Sequence, residues 1–230
     1  MARDLQFFES ARFRRVDSLE DAQLETSLGV LTRRYRCKSQ DLVLEPGWHE
    51  NPATGTRART WTSPTFRLEE LLTPAKFQTP YGVVAGRAVL VRGEALTDGI
   101  ELSAGIAWAR GFRWTECGPC SGEGLEALSW NNAVNRVTIG TEDAEYLGAR
   151  AHRADWMPRR LEPWLQSVAS ASTVFNANNT SLEIALPPLK RGECVQLQFI
   201  IAGGPADDHS ATWFAVDQKP SKILALAGFE

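Results

Sequence analysis

Cysteine is scarce in this chain, and long hydrophobic runs are missing. Only four cysteines occur among 230 residues, too few for a small scaffold built from disulfides. No stretch approaches the roughly 18 apolar residues that a membrane-spanning helix needs. Charged residues interrupt the first ten positions, which therefore lack the apolar core of a secretory signal. These absences predict a soluble protein with free thiols in a reducing, cytoplasmic compartment.

An excess of positive charge is also missing. The formal net charge is −3, which provides no basic field for a phosphate backbone, so no nucleic-acid partner is expected and no membrane partner either. Hydrophobic residues make up 43% and charged residues 23% of the chain, as in ordinary globular domains. We predict one β-rich unit over residues 1–230, with a core large enough to need neither disulfides nor metals.

A period of two in the apolar residues is the strongest pattern in the chain. It runs through 100–108, 182–186 and 195–201, and it predicts strands with one buried face. Turn sequences such as Asp98-Gly99 separate the candidate strands. The pattern predicts an all-β fold, a β-sandwich or jelly roll. Further strands are predicted near Gly29–Arg36, Asp41–Leu44, Val83–Val91, Asn135–Ile139, Tyr146–His152 and Ser210–Val216.

Helical signals are few. Asp17–Glu20 has the spacing of a capping box, and Pro158–Val168 predicts a short helix, so one or two short helices are expected. The segment Thr115–Leu128 shows no alternation at its centre and is predicted to be a long loop. It is also the candidate internal boundary, which would divide the chain into two packed β-subdomains, 1–114 and 129–230.

One stretch resembles a known kind of domain. Thr62-Ser63-Pro64-Thr65-Phe66, followed by Leu71 and by Thr79-Pro80-Tyr81-Gly82, resembles the opening of β-sandwich accessory domains in some bacterial peptidase-like and sugar-active proteins. It covers about a fifth of the chain. The resemblance implies a sandwich and no particular activity.

The pair Cys117-Gly118-Pro119-Cys120 has the spacing of a thioredoxin redox centre. That chemistry needs the first thiol at a helix N-terminus, whereas the glycines after Cys120 disfavour a helix and Glu116 would raise the thiol pKa. A zinc site would need two further ligands, and the other cysteines and the three histidines form no second close pair. We therefore expect free thiols, no metal and no cofactor.

The segment Thr141–Trp156 is the richest in functional groups. If it contains a strand, then Tyr146, Arg150 and His152 share one face, with Asp155 and Trp156 just beyond its end. The plain interpretation is that this face is solvated. The functional one is a polar cavity in which Tyr146, Arg150 and Trp156 bind a ligand.

Eight tryptophans are many for this length, and several stand beside polar or turn residues. Exposed aromatic rings stack on sugars or other ligands, but they also fill cores and interfaces. The leading hypothesis is a module that binds a small organic ligand or sugar on an aromatic-lined face or cavity. The first alternative is a cofactor-independent cyclase, isomerase or lyase with His152 and Asp155 as acid/base residues. The second is a protein–protein interaction subunit, and a homo-oligomer is compatible with each.

Overall fold

Fifteen β-strands and four short α-helices make up the secondary structure of residues 13–16, 24–38, 40–42, 47–109, 111–167 and 174–229, which the computed structural model describes. The strands are β1 (Arg14–Val16), β2 (Leu24–Thr26), β3 (Gly29–Cys37), β4 (Gln40–Asp41), β5 (Trp48–Asn51), β6 (Thr56–Thr62), β7 (Phe66–Thr79), β8 (Gly82–Ala95), β9 (Leu102–Trp108), β10 (Glu116–Pro119), β11 (Leu125–Asn131), β12 (Asn135–Glu142), β13 (Phe175–Asn178), β14 (Ser181–Ala185) and β15 (Cys194–Pro205). The helices are α1 (Ala144–His152), α2 (Glu162–Leu165), α3 (His209–Val216) and α4 (Pro220–Leu226), and a 3₁₀ turn spans Arg159–Leu161. The predicted Asp17–Glu20 capping box lies outside the described residues.

Two antiparallel sheets organise the molecule, which confirms the all-β prediction. The larger sheet has nine strands in the order β1-β5-β6-β7-β8-β15-β12-β11-β10. The smaller sheet follows the order β13-β14-β9-β3-β2, with β4 paired to β3. Its neighbours β9 and β3 pair over seven residues, from Leu31 opposite Trp108 to Cys37 opposite Leu102.

The main hydrophobic core lies between the two sheets and follows from the period-two pattern. On β15, Val195, Leu197, Phe199 and Ile201 all point into this core. On β9, the alternate residues Leu102, Ala104, Ile106 and Trp108 approach them from the smaller sheet. Because alternate side chains of a strand point to opposite faces, each strand contributes the apolar side chains of one face to the shared core.

The outer face of the larger sheet is covered as well. Helices α3 and α4 pack on it through a second core that includes Ile200, Ala215 and Ile223. Gln198, which the alternation places on this face, is buried, and its Nε2 donates to the Gln218 carbonyl at 2.7 Å. Neither face of this part of the sheet is therefore exposed to solvent.

Several regions differ from the sequence-based prediction, and two of them concern residues 115–128 and 210–216. Residues Thr115–Leu128 are not one long loop, because they contain β10 and the start of β11, and β10 pairs with the second half of β11, Cys117 opposite Trp130. Residues Ser210–Val216 are helical instead of extended, with the Asp208 side chain accepting from the Ala211 backbone N–H at the helix start. The helix predicted in Pro158–Val168 is present as the 3₁₀ turn and α2, and the described residues hold four short helices in place of one or two.

No helix within the described residues is long and apolar enough to cross a membrane. Strands from either side of residues 115–128 pair with one another in both sheets, for example β8 with β15 and β9 with β14. The assignment of residues 1–230 to a single unit stays a prediction.

Candidate functional site

The segment Tyr146–His152, predicted as a strand, belongs to helix α1. Asp143 caps this helix, with Oδ1 accepting from the Tyr146 backbone N–H at 2.8 Å. The buried residues Ala144, Leu147, Gly148 and Ala151 follow helical spacing and face the core. The prediction of a strand was wrong because helical and period-two patterns overlap in this short segment.

The helix separates the residues that the strand would have aligned. Arg150 is only 1% exposed, Tyr146 is half-buried beside Gly124, and His152 is exposed. Successive helix residues are rotated by about 100°, so Tyr146 and Arg150 share a side while His152 points elsewhere. The structure thus does not form the predicted Tyr146, Arg150 and His152 face.

Arg150 is the centre of a buried polar cluster behind the 154–156 loop. Its Nη1 lies 2.5 Å from Glu142 Oε2 and also donates to the Gln196 carbonyl. Its Nε donates to the carbonyl of Asp155 at 3.2 Å and its Nη2 to that of Trp156 at 3.5 Å. Burial raises the pKa of the Glu142 carboxyl, and the nearby Arg150 guanidinium opposes part of this effect. Arg150 therefore fixes the loop from below and is itself closed to a ligand.

Trp156 is held in one orientation by its backbone and its ring. Its φ angle is +49° and that of Ala154 is +52°, both in the left-handed region, which costs non-glycine residues about 1–3 kcal/mol each. The Gln196 backbone N–H donates to the Trp156 carbonyl at 2.8 Å. The Arg92 guanidinium stacks on the indole at 3.9 Å from its centre, and its Nε is tied to Gln196 Oε1. The surroundings thus hold a strained loop that presents an indole.

This indole lines a cavity of about 470 Å³, which we call the Trp156 pocket. The volume lies within the range of small-molecule sites. The cavity is lined by Ala154, by residues 156–160 and by residues 192–194. The pocket combines apolar groups from Met157 and Pro158 with the charged side chains of Arg159, Arg160 and Glu193.

His152 and Asp155 do not form an acid/base site in this structure. His152 Nδ1 lies 2.8 Å from Glu162 Oε1 on the surface, with 64% of the histidine side chain exposed. Asp155 Oδ2 lies 4.0 Å from Arg150 Nε and is 54% exposed. Neither residue lines the Trp156 pocket or either of the two other cavities described below.

A second aromatic cavity lies on the other side of the 158–165 segment. Trp164 of α2 lines this cavity of about 440 Å³, the Trp164 pocket. The remaining lining residues are Arg36, Glu101, Leu102, Ser103, Ala185, Leu186, Pro187 and Pro188. Period-two reasoning could not find this pocket, because its residues come from four separate segments that meet only in the folded chain.

The largest of the three cavities, about 640 Å³, lies on the inner face of the larger sheet near Leu24–Ser27. Its lining is mainly apolar and includes Val137, Ile201 and the exposed Val134. Another exposed apolar group occurs at the β7–β8 turn, where the Tyr81 ring lies 5.8 Å from that of Phe214. Tyr81 is 60% and Phe214 36% exposed, and this partly exposed ring pair leaves open the alternative of a protein–protein interaction subunit.

The two cysteines of the Cys-x-x-Cys motif lie on opposite faces of the larger sheet. Cys117 packs against the core between the sheets, and Cys120 lies in the core under α3. Three residues of extended strand span about 10 Å, beyond the Cα separation that a disulfide allows. Cys120 Sγ instead lies 3.2 Å from His209 Nε2, and burial raises the pKa of both thiols. Nowhere in the described ranges do three metal-ligating side chains converge.

Comparisons with known proteins add little. No family model and no curated protein match the chain. One solved structure with a similar chain trace is described as "Putative kojibiose phosphorylase from human microbiome". The two share 8% sequence identity with a TM-score of 0.44 over 94% of this chain. The chain spans 28% of that protein's length, and a likeness at this level carries no argument about function.

Proposed function

We propose that this chain is a β-sandwich binding module that holds a small organic ligand against Trp156. The observation that carries the proposal is that the indole of Trp156 is fixed. Its backbone is left-handed, its carbonyl accepts two hydrogen bonds, and the Arg92 guanidinium lies against one face of its ring. A preorganised ring loses little conformational entropy when a ligand stacks on it, so more of the contact energy becomes affinity.

The lining of the Trp156 pocket indicates the type of ligand. The half-buried Pro158 offers apolar surface next to Trp156, whereas Met157 is only 2% exposed and belongs to the main core. Arg160 is paired with Glu193, but the exposed Arg159 guanidinium makes no hydrogen bond or ion pair with any other described residue. A flat organic molecule that carries a carboxylate or phosphate would satisfy both features, since guanidinium groups bind such anions in a bidentate way.

Arg150 and Tyr146 have other roles in this proposal than the sequence suggested. Arg150 is a positioning residue, because its side chain is buried and its donors hold the carbonyls of Asp155 and Trp156. Tyr146 does not line the Trp156 pocket and supports the Gly124 turn instead. Of the three predicted ligand-binding residues, only Trp156 faces the cavity.

The arrangement favours binding over catalysis. A catalytic pocket generally contains an acid or base whose pKa is shifted by its surroundings. The carboxyl and phenol groups with raised pKa values lie outside the three cavities, and they are Tyr35, Glu126, Glu142 and Asp217. The acid/base alternative with His152 and Asp155 therefore has no support from the geometry.

The indole N–H signals in a ¹H–¹⁵N spectrum test the proposal directly. Eight tryptophans provide separate reporters, and the Trp156→Phe variant assigns the signal of interest. We expect benzoate to shift the Trp156 signal in a saturable way, and Arg159→Ala to weaken this binding by about fivefold or more, or about 1 kcal/mol.

Two comparisons give the result its meaning. Arg113→Ala is the matched control, because Arg113 is exposed and lines none of the three cavities, and it should leave the affinity unchanged. Benzyl alcohol, which lacks the carboxylate, should bind more weakly than benzoate. If neither benzoate nor phenyl phosphate moves the Trp156 signal, the proposed site is wrong.

A further inference from the structure

The Trp164 pocket carries polar side chains of every hydrogen-bonding type. The Glu101 carboxylate accepts, the Ser103 hydroxyl donates and accepts, and the Arg36 guanidinium donates. Neither Glu101 nor Ser103 makes a side-chain hydrogen bond or ion pair with another described residue. Both groups are therefore available to a ligand.

The Arg36 guanidinium is held in place by two carboxylates. Its Nε lies 2.9 Å from Asp41 Oδ1, and its Nη1 lies 3.4 Å from Glu183 Oε2. These two anchors use two of the five N–H donors of the group. The remaining donors belong to a side chain that is 38% exposed. A fixed planar donor of this kind suits two neighbouring oxygens.

The apolar wall of the pocket is equally fixed. Trp164 is half-buried and packs against the main core, and Leu186, Pro187 and Pro188 line the pocket with it. Arg160 ties these two parts together, since its Nη2 donates to the Pro188 carbonyl at 2.6 Å and lies 2.6 Å from Glu193 Oε2. The distance between the Trp164 indole and the two prolines is therefore fixed.

From this combination we infer that the Trp164 pocket is a second, separate site that binds a neutral polyhydroxylated ligand, a sugar. Sugar hydroxyls both donate and accept, so they match Glu101, Ser103 and Arg36 together. The C–H face of a sugar ring can stack on the indole. A purely anionic ligand would meet the Glu101 carboxylate and a purely cationic one the Arg36 guanidinium, so both are disfavoured. The volume of about 440 Å³ is within the range for a small molecule.

The experiment is a titration of the isotope-labelled protein with glucose, galactose, xylose, maltose and cellobiose, monitored at the Trp164 indole signal. Trp164→Phe assigns this signal and keeps a ring in the pocket. We expect at least one of these sugars to shift the Trp164 signal in a saturable way. Glu101→Ala and Ser103→Ala should each weaken that binding by roughly fivefold to tenfold, about 1–1.4 kcal/mol.

Glu123→Ala serves as the control, because Glu123 is an exposed carboxylate that lines none of the three cavities, and it should bind as wild type does. Thermal melting of each variant shows whether it is folded. The inference is overturned if none of the five sugars shifts the Trp164 signal, or if the shift is insensitive to both Glu101→Ala and Ser103→Ala. Sugar binding that moves only the Trp156 signal would also overturn it. Benzoate binding at Trp156 is read from a different signal, so the two sites fail or succeed independently.

Discussion

Glu70 shows how strongly single residues join the two sheets. Its carboxylate is fully buried and accepts from the Tyr35 hydroxyl at 2.8 Å. Arg33 Nε lies 2.8 Å from one of its oxygens, and Arg59 Nε lies 2.6 Å from the other. Arg33 and Tyr35 belong to the smaller sheet, whereas Arg59 and Glu70 belong to the larger. The pKa of the Tyr35 phenol is raised well above its usual value, mainly by burial and secondly by the negative charge of Glu70. The Tyr35 hydroxyl therefore stays protonated and remains a hydrogen-bond donor.

Replacing Glu70 by glutamine should destabilise the fold by about 3–5 kcal/mol, because the buried Arg33 and Arg59 guanidinium groups would lose the charge of the Glu70 carboxylate. The control is Glu50→Gln, which breaks a partly exposed pair with Arg57 and should cost less than about 1 kcal/mol. Chemical denaturation of both variants measures the difference. Equal losses in the two variants would show that the buried cluster has no special role in stability.

This cluster was not predictable from the sequence. A stretch such as Arg33-Arg34-Tyr35-Arg36 looks like a solvated strand edge, and charged residues are seldom buried unless paired. The partner Glu70 is 35 positions from Tyr35, and single-sequence periodicity contains no information about such distant pairing. Trp156 was predicted as a ligand-binding residue because it follows the Tyr146–His152 segment, then assigned as a strand, and its contacts with Arg92 and Gln196 emerged only with the fold.

At the scale of elements, the strands with strict alternation were predicted well and the short helices were not. Strands β9, β14 and β15 fall where period two predicted them. Helices α1 and α3 were assigned as strands, although Asp143 and Asp208 stand at their N-caps and aspartate is a favoured cap. For α1, the decisive signal was the spacing of Ala144, Leu147 and Ala151, which a strand would place on both faces.

Asp143 provides a test of how the N-terminus of α1 is stabilised. Its Oδ1 caps the helix at the Tyr146 N–H, and its Oδ2 accepts from the Gly124 N–H at 3.0 Å, in the turn before β11. Asp143→Ala should cost about 1–2 kcal/mol of stability, at the upper end for a cap because two backbone donors lose their partner. Thermal or urea unfolding measures this loss. Asp143→Asn keeps one acceptor oxygen, for the Tyr146 N–H, but turns an amide NH₂ toward the Gly124 N–H, so it should recover only part of the loss. A loss as large as that of alanine would argue against capping.

The whole molecule has three layers over much of its width, namely the smaller sheet, the larger sheet and the pair α3 and α4. Adjacent residues of β15 consequently enter different cores: Phe199 lies between the sheets and Ile200 under the helices, each fully buried. The sequence predicted the first core from alternation. It did not predict the second, because α3 was itself assigned as a strand and no element was predicted over the residues of α4.

Substitution of these two neighbours tests the layering. Phe199→Ala should destabilise by about 3–5 kcal/mol and Ile200→Ala by about 2–5 kcal/mol, since both leave a cavity in a packed core. In a sheet with one solvated face, the second change would cost only about 0.5 kcal/mol. Urea unfolding of the two variants against wild type measures both losses. A near-wild-type Ile200→Ala would mean that α3 and α4 do not cover this face in solution.

Cys117 and Cys120 stand three residues apart and yet report on different layers. Cys117 is partly exposed, so a thiol reagent can reach it in the folded protein, whereas the buried Cys120 reacts only when α3 lifts from the larger sheet. Under native conditions, the rate of labelling at a protected thiol measures the free energy of the opening that exposes it. In a variant whose other two cysteines are alanine, Cys117 would give the labelling rate of an accessible thiol and Cys120 the opening energy of the helical layer. An opening energy at Cys120 equal to that of global unfolding would mark the sheet and its helices as one cooperative unit, and a smaller one would show that the helices come away first.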